Sequence, residues 1–321
     1  MYQKTHVHLM GIGGIGMSGI AKILRSQGYT VSGCDTNHEQ PTIKELKTTG
    51  CHIYKGNNTS ECADSTIEVL VYSSAINDSN PEIQAAQEKG IPTIPRASML
   101  AEIMRTKYSI AVTGAHGKTT TTSFISHIMI EAQLDPTVII GGHLHNISSN
   151  AQLGTGEFLV AEADESDRSF LKLYPTLAVV TNIDLEHLET YTDIDDIKQS
   201  YAEFLSHVPF YGKAIVCLDD PHIRSLLPLH QVKTIKYALD HKEAELYGDD
   251  LILEKDHSTC TVYHNQEKLG TLTLTMPGKH NMLNALGALA VTLDVGVSFE
   301  TAVLALKNFK GIDRRFSYKG T

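Results

Sequence analysis

Apolar and polar positions alternate from residue 7 to residue 107 in a way that predicts strands and helices in turn. Strands are predicted at four short apolar runs bounded by glycine or polar residues, namely VHLMG, YTVSGCD, CHIY and IEVLVYSS. One amphipathic helix between them ends before Gly28, and another starts after the cap Asn80 with Pro81. Strands that alternate with helices favour a parallel sheet of Rossmann type.

A second alternating series begins at Tyr108, where the strand SIAVTG leads through a glycine turn into the helix TTTTSFISHIMIEA. Further strands are predicted at FLVAEAD, LAVVTNI and GKAIVCLDD, with the helix IDDIKQSYAEFLSHV between the last two. From about Ala244 to Thr275 the runs LILEK, STCTVYH and KLGTLTL predict an antiparallel flap at the edge of this domain. Helices from His280 and Ser298 complete the series.

The predicted fold class is therefore α/β. A Rossmann-like parallel-sheet domain is expected at residues 1–106, and a P-loop ATPase-type α/β domain with a small antiparallel flap at 107–312. The 321 residues suit two domains at about 150 residues each, and 41% hydrophobic residues supply material for two cores.

Charge and hydropathy narrow the choice of partners. Lys and Arg number 27 against 37 Asp and Glu, a formal net charge of −10, so nucleic acid and anionic membranes are not expected partners. No run approaches the about 20 apolar residues of a bilayer span, and the N-terminus lacks the pattern of a signal peptide, so we expect a cytoplasmic protein.

Cysteine and histidine patterns do not predict a metal centre. The five cysteines are scattered without a C-x-x-C pair, which favours reduced thiols. His6 and His8 lack metal-site spacing and have no carboxylate beside them in the sequence, so we expect them to be packing residues.

The first glycine loop, residues 11–16, has the sequence GIGGIG and lies between a predicted strand and a helix. Glycines let the backbone approach a diphosphate, and the helix N-terminus offers unpaired N–H groups and partial positive charge. Asp35 ends the next strand, where a carboxylate can accept hydrogen bonds from ribose hydroxyls. The loop fits NAD, but a UDP-sugar carries the same diphosphate and ribose, so both interpretations stay open.

The second glycine loop, GAHGKTT at residues 114–120, also joins a strand to a helix. Its amides can cradle phosphates, Lys118 can reach the β and γ oxygens, and the Thr119 hydroxyl can bind Mg²⁺. Val112 stands where the strict P-loop pattern has its first glycine. ATP is nevertheless the better supported nucleotide, because a glycine turn with only a packing role would not need the sequence GKTT after it.

Acidic residues follow two later strands. The run 162–167, EADESD, contains four carboxylates whose mutual repulsion in a cleft favours bound cations. The segment after the next strand, TNIDLEHLETY, carries Asn182 and His187. The carboxyl ends of parallel strands share one edge of a sheet, so we expect these segments to lie near the P-loop.

The motifs resemble those of the Mur amino-acid ligases, in the family's order. They are GIGGIGMSGIA, SSAIN, PRASMLAEIM, GAHGKTTTT, AEADESD, PFYG, DDP, PGKHNMLNALGALA and GIDRRF. The resemblance implies an ATP- and Mg²⁺-dependent ligase of peptidoglycan precursor synthesis that joins L-alanine to the lactyl carboxylate of UDP-N-acetylmuramate through an acyl phosphate. It favours a UDP-sugar over NAD in the first loop.

The resemblance also implies a role for each matching residue. Catalysis is expected of Lys118, Glu162 and His187, and metal binding of Thr119, Glu162 and His187. ATP binding is expected of Gly114, Ala115, His116, Gly117, Lys118, Thr119, Thr120, Asn281, Asn284, Arg314 and Arg315. UDP-sugar binding is expected of Gly13, Gly14, Ile15, Gly16, Asp35, Ser73, Ser74, Arg96 and Asn182.

Family members continue past the G-x-x-R-R-F motif into a third domain that contacts the amino acid. We therefore expect a truncated chain in which residues 313–321 begin the hinge to that domain, and which binds substrates but ligates poorly. Alternatives are a sibling ligase that adds a preformed peptide to the same UDP-sugar, a nicotinamide-dependent oxidoreductase, or a non-catalytic nucleotide-binding module. The oligomeric state is left open.

Overall fold

The fold comes from a computed structural model that describes residues 5–56, 66–73, 75–77, 79–140 and 151–309. The chain divides into two compact units, residues 1–103 with 150–153, and residues 104–149 with 154–321. Both units are α/β, as the alternating pattern predicted. Within the described ranges, no helix is both long and apolar enough to cross a membrane.

The first unit is built on one parallel sheet. Its elements are β1 His6–Met10, α1 Ile15–Ser26, β2 Thr30–Asp35, α2 Pro41–Thr48, β3 His52–Lys55, β4 Val69–Tyr72, α3 Pro81–Glu88, β5 Thr93–Pro95 and α4 Arg96–Met104. The strand order is β3-β2-β1-β4-β5, and every pairing is parallel. The predicted start of α3 is confirmed, since the Asn80 side chain accepts a hydrogen bond from Glu82 N at 2.9 Å.

The second unit contains a longer, mixed sheet. Its elements are β6 Tyr108–Thr113, α5 Lys118–Glu131, β7 Thr137–Ile139, β9 Phe158–Glu162, β10 Leu177–Val180, α6 Ile194–Ser206, β11 Lys213–Cys217, α7 Pro221–Leu226, β12 Lys233–Ala238, β13 Leu246–Leu253, β14 Ser258–His264, β15 Glu267–Leu274, α8 Lys279–Asp294 and α9 Phe299–Lys307. A short strand between β7 and β9 in the sequence, β8 Ala151–Gln152, lies within the residues of the first compact unit.

The order of this sheet explains where a site forms. From β7 through β9, β6, β10, β11 and β12 to β13 the pairings are parallel. The strands β13, β14 and β15 then pair antiparallel, which confirms the predicted flap. The loops after β6, β9, β10 and β11 leave the same edge of the sheet, so their side chains converge.

Two strands near the flap differ from the sequence-based expectation. β12 was not predicted, because Lys233 and Lys236 interrupt its short apolar pattern. β13 starts at Leu246 rather than within the run LILEK, because a break in the pairing register between Asp249 and Ile252 places two aspartates inside the strand.

A network of hydrogen-bonded polar side chains lies in the core of the first unit. His8 Nε2 lies 2.9 Å from Glu82 Oε1, and Cys34 Sγ donates to the same carboxylate at 3.3 and 3.4 Å. Ser32 Oγ bridges His8 Nδ1 at 2.8 Å and His6 Nε2 at 2.7 Å. His8 has no carboxylate beside it in the sequence, but the fold brings Glu82, 74 residues later, next to it. His8, Cys34 and Glu82 are fully buried with ligand atoms within 4.8 Å of one another, which is close enough to hold a metal ion, so the packing role of His8 stays a prediction.

Candidate active site

The glycine loop of the first unit is held by the strand beside it. Gly11 N and Ile12 N donate to Cys34 O at 2.8 and 3.1 Å, and Gly13 N donates to Asp35 Oδ2 at 2.9 Å. The other carboxylate oxygen of Asp35 accepts from Asn37 N at 2.9 Å. Asp35 therefore positions the loop, and its predicted contact with a ribose stays a prediction.

Side chains from three other segments approach this loop. A Cβ on Gly13 would lie 1.9 Å from Gln40 Nε2, and a Cβ on Gly16 would lie 2.9 Å from Arg96 Nη1. Ser73 Oγ lies 3.5 Å from the position of a Cβ on Gly11. Ser74 lies outside the described residues.

The result is a site suited to an anion. Helix α1 starts at Ile15 with Gly14 as its N-cap, and no side chain of the cap covers the N–H groups of its first turn. Arg96 adds a positive charge beside this helix N-terminus, next to Gly16. A helix N-terminus and a guanidinium both favour an anion, and the predicted binding of a nucleotide-sugar diphosphate here stays a prediction.

The glycines of the second loop occupy positions where a side chain does not fit. Gly114 and Gly117 have φ values of +137° and +87°, and Gly117 is the N-cap of α5. A Cβ would lie 2.1 Å from Thr181 Oγ1 at Gly114 and 2.4 Å from Asn284 Oδ1 at Gly117. The loop therefore depends on glycine both for its conformation and for its packing.

We expect Gly117→Ala to weaken ATP binding by about tenfold, because left-handed backbone costs an alanine about 1–2 kcal/mol and the new methyl group displaces Asn284. Calorimetric titration of the variant with a non-hydrolysable ATP analogue measures this effect. Gly90→Ala is the matched control, since Gly90 also has a positive φ, +71°, but its Cβ would meet open space. Equal affinities in the two variants would contradict the prediction.

Asn182 clamps the backbone of the second loop. Its amide accepts from His116 N and donates to His116 O, both at 2.8 Å, while Thr181 Oγ1 also donates to His116 O at 2.6 Å. Ala115 N donates to Asn182 O at 3.2 Å. The N–H groups of Ala115 and His116 are thus already used, which leaves the first turn of α5 as the principal backbone donor to phosphates. The assignment of Asn182 to the UDP-sugar stays a prediction.

Lys118 lies at the mouth of this loop and is paired with a carboxylate. Its Nζ donates to Gly114 O at 2.7 Å and to Glu165 Oε1 at 2.6 Å. Glu165 is only 3% exposed, and its burial raises the pKa of the carboxyl group more than the nearby Lys118 ammonium lowers it. The sequence placed Glu165 in an acidic run but gave no sign of which member of that run is buried.

The three residues predicted to bind metal lie on segments that meet at this edge. Glu162 ends β9 opposite Val112 of β6, just before the loop, and Thr119 lies in the first turn of α5. His187 follows β10 with a φ of +55°, and its Nε2 lies 3.9 Å from Glu165 Oε1. A hydroxyl and a carboxylate are ligands that Mg²⁺ prefers, whereas an imidazole is more typical of transition metals, so binding of Mg²⁺ by these three residues stays a prediction.

A cavity of about 650 Å³ opens beside the second loop. His116, Gly117 and Thr120 line one side, and Asn281 and Asn284 of α8 line another. This volume is within the usual range for small-molecule sites, and its position beside the loop fits a nucleoside attached to the phosphates. Arg314 and Arg315, predicted to contact ATP, lie outside the described residues.

Other residues that line the cavity form hydrogen bonds within the protein. Asn281 donates to Pro277 O at 2.9 Å. Asp220 accepts from Ile183 N and Ile223 N, at 3.2 and 2.8 Å. Burial raises the pKa of the Cys217 thiol to about 12, so it is neutral at physiological pH.

Both units match known domains in sequence. Residues 6–108 match the catalytic domain of the Mur ligase family, and residues 112–292 match the Mur ligase middle domain. The chain belongs to the Mur ligase family. It is therefore an enzyme of the ATP-dependent ligase class, as the motif order predicted.

Individual Mur ligases resemble the chain over most of its length. A UDP-N-acetylmuramate--L-alanine ligase of Desulfatibacillum aliphaticivorans is 49% identical over all of this chain and 70% of its own length. The structure of a UDP-N-acetylmuramate:L-alanyl-gamma-D-glutamyl-meso-diaminopimelate ligase from Neisseria meningitides superposes with a TM-score of 0.87 at 26% identity, covering 97% of this chain and all of that one. A UDP-N-acetylmuramate-alanine ligase from Thermotoga maritima gives 0.81 at 27% identity, covering 97% of this chain and 70% of that one.

Proposed function

We propose that this Mur ligase acts in the cytoplasm, binds UDP-N-acetylmuramate in its first unit and ATP in its second, and joins L-alanine to the lactyl carboxylate of the sugar. The observation that supports ATP binding is the second glycine loop, which has Lys118 at its mouth and lies beside a cavity of about 650 Å³. The choice of L-alanine is supported by the 49% identity to an L-alanine ligase.

The reaction needs ATP because a carboxylate repels nucleophiles and its oxygen is a poor leaving group. Transfer of the γ-phosphoryl group to the lactyl carboxylate forms a C–O–P bond and releases ADP. The L-alanine amine then attacks the acyl carbon of this acyl phosphate, the C–N bond forms, and the C–O bond to phosphate breaks. The amine also loses a proton, which completes the amide.

The residues of the second unit suit the first of these steps. The Lys118 ammonium can neutralise charge on the β and γ oxygens as it develops, and the N–H groups of the α5 first turn can hold them in place. Mg²⁺, held by Thr119, Glu162 and His187, would reduce the repulsion between the carboxylate and the triphosphate. Fixing both reactants in line can contribute about 7–11 kcal/mol through proximity.

A peptide ligase is the second candidate. It is favoured by the higher TM-score of the Neisseria meningitides structure, 0.87 against 0.81 for the Thermotoga maritima alanine ligase. The sequence identities to these two structures, 26% and 27%, are too similar to favour either L-alanine or a peptide as the acceptor. The 49% identity to an L-alanine ligase favours L-alanine.

Calorimetry on this chain tests the binding half of the proposal. We expect one site for UDP-N-acetylmuramate and one for a non-hydrolysable ATP analogue with Mg²⁺. Binding of NADH without binding of the ATP analogue would instead support the oxidoreductase alternative. Phosphate release by the full-length gene product, measured with L-alanine and with the L-alanyl-γ-D-glutamyl-meso-diaminopimelate tripeptide as alternative acceptors, separates the two ligases. Turnover with the tripeptide alone would contradict the L-alanine assignment.

A further inference from the structure

We propose that Glu165 is a positioning residue that aims Lys118 at the transferring phosphoryl group. The proposal rests on the function proposed above, and it assigns a role to a carboxylate that the motifs left without one. Glu165 acts through its partner, because its described contacts are made with protein groups.

One carboxylate oxygen of Glu165 lies close to two residues with expected roles in the reaction. Glu165 Oε1 lies 2.6 Å from Lys118 Nζ and 3.9 Å from His187 Nε2. One buried oxygen therefore stands beside both the expected phosphate-binding lysine and an expected metal ligand. The ion pair with Lys118 is short and largely shielded from water, since the two side chains are 20% and 4% exposed.

The ammonium group of Lys118 has three N–H donors. Two of them are accounted for by short bonds to Gly114 O at 2.7 Å and to Glu165. Within the described part of the chain, the third has only a long contact, to Ala115 O at 3.4 Å. Two strong bonds fix the direction of the ammonium, and the third donor is available to a phosphate oxygen.

Hydrogen bonds hold the backbone of Glu165 in place. The carbonyl oxygen of Glu165 accepts from the Tyr191 hydroxyl at 2.5 Å and from Arg168 N at 3.1 Å. Tyr191 is 2% exposed, and the Arg168 guanidinium lies over its ring at 4.6 Å and pairs with Asp196 at 2.6 Å. The segment is thereby attached to α6, so Glu165 provides a fixed reference point for a flexible lysine side chain.

Packing alone does not account for a carboxylate at this position. An apolar side chain of similar volume would avoid the desolvation cost that a buried ion pair carries. Oε2 of Glu165 is also buried, with no hydrogen-bond partner among the described residues. Among the described residues, the hydrogen-bond partner of the Glu165 carboxylate is therefore Lys118. A positioning role explains why a charged side chain occupies this buried position.

Glu165→Gln tests the role, because it keeps the shape of the side chain and removes its charge. In the full-length gene product we expect kcat for phosphate release to fall between about tenfold and a hundredfold, while the KM for ATP changes less than about threefold. On this chain, the calorimetric Kd for the ATP analogue should also stay within about threefold. Glu203→Gln is the matched control, since it makes the same chemical change at an exposed glutamate on α6 of the same unit.

Glu165→Asp is the second variant, and it keeps the charge but shortens the reach by one methylene group. We expect a lower kcat with an unchanged Kd, because a misplacement of about 1 Å is enough to cost rate. An unchanged kcat in either variant, or a parallel loss of kcat and of ATP affinity, would overturn the positioning role. Failure of the wild-type chain to bind the ATP analogue would instead overturn the proposed function, and the inference with it.

Discussion

Replacing Lys118 by alanine is expected to weaken binding of the ATP analogue by about a hundredfold and to leave UDP-N-acetylmuramate binding within about twofold. A hydrogen bond to a charged group contributes about 1.5–3 kcal/mol, and a factor of one hundred corresponds to about 2.7 kcal/mol. The two ligands are assigned to separate units, so the loss should be confined to the nucleotide. Calorimetric titration with each ligand in turn measures both effects.

The matched control is Lys233→Ala, an exposed lysine on β12 of the same unit, which should change neither affinity. An equal loss of affinity for both ligands in Lys118→Ala would contradict the assignment of two separate sites. An unchanged ATP affinity would contradict the phosphate-binding role of Lys118.

The same variant should show a changed pH dependence of stability. The folded-state pKa of Glu165 is already raised above its usual value of 4.5 by burial, and removal of the Lys118 ammonium raises it further. A carboxyl group with a raised folded pKa gives its full stability below the unfolded pKa and loses it as the pH rises. Urea unfolding at pH 5 and pH 8 should therefore show a larger deficit for the variant at pH 8.

Glu82→Ala should destabilise the first unit by about 3–5 kcal/mol, because it removes an acceptor shared by two buried side chains, and loss of a buried hydrogen-bond partner costs about 1–3 kcal/mol for each. Glu82 is fully buried and accepts from both His8 and Cys34. Hydrogen exchange of peptides covering β1 and β2, followed by mass spectrometry, should accelerate by about a hundredfold or more, as about 3 kcal/mol implies.

Glu88→Ala is the control for this change, since Glu88 is an exposed glutamate at the end of the same helix, α3. It should leave the exchange rates of β1 and β2 nearly unchanged. Equal rates in the two variants would show that the buried network adds little to stability.

Local signals in the sequence predicted the parts of the site that are built locally. The strand, glycine turn and helix at residues 108–131 are contiguous, so both the fold of the loop and the position of Lys118 follow from neighbouring residues. Contacts between distant residues were not predictable in this way. Lys118 and Glu165 are 47 residues apart, and His8 and Glu82 are 74 apart, so only the folded chain shows that they meet.

Asn182 shows a different limit. Its place after β10 was visible in the sequence, and its family motif suggested a substrate contact. Its amide forms hydrogen bonds with the backbone of His116, and its predicted substrate contact stays a prediction, because a motif alone does not separate an amide that holds a loop from one that holds a ligand. Polar residues at strand ends can do either, because the same donors and acceptors serve both purposes.

The neutral thiol of Cys217 affects the design of nucleotide-competitive inhibitors. Cys217 lines the cavity, and burial raises the pKa of its thiol to about 12, so the unreactive thiol form predominates at neutral pH. An acrylamide or chloroacetamide warhead directed at this sulfur would react slowly, so covalent capture is a poor strategy here. Affinity should be sought through reversible contacts with the amide side chains of α8.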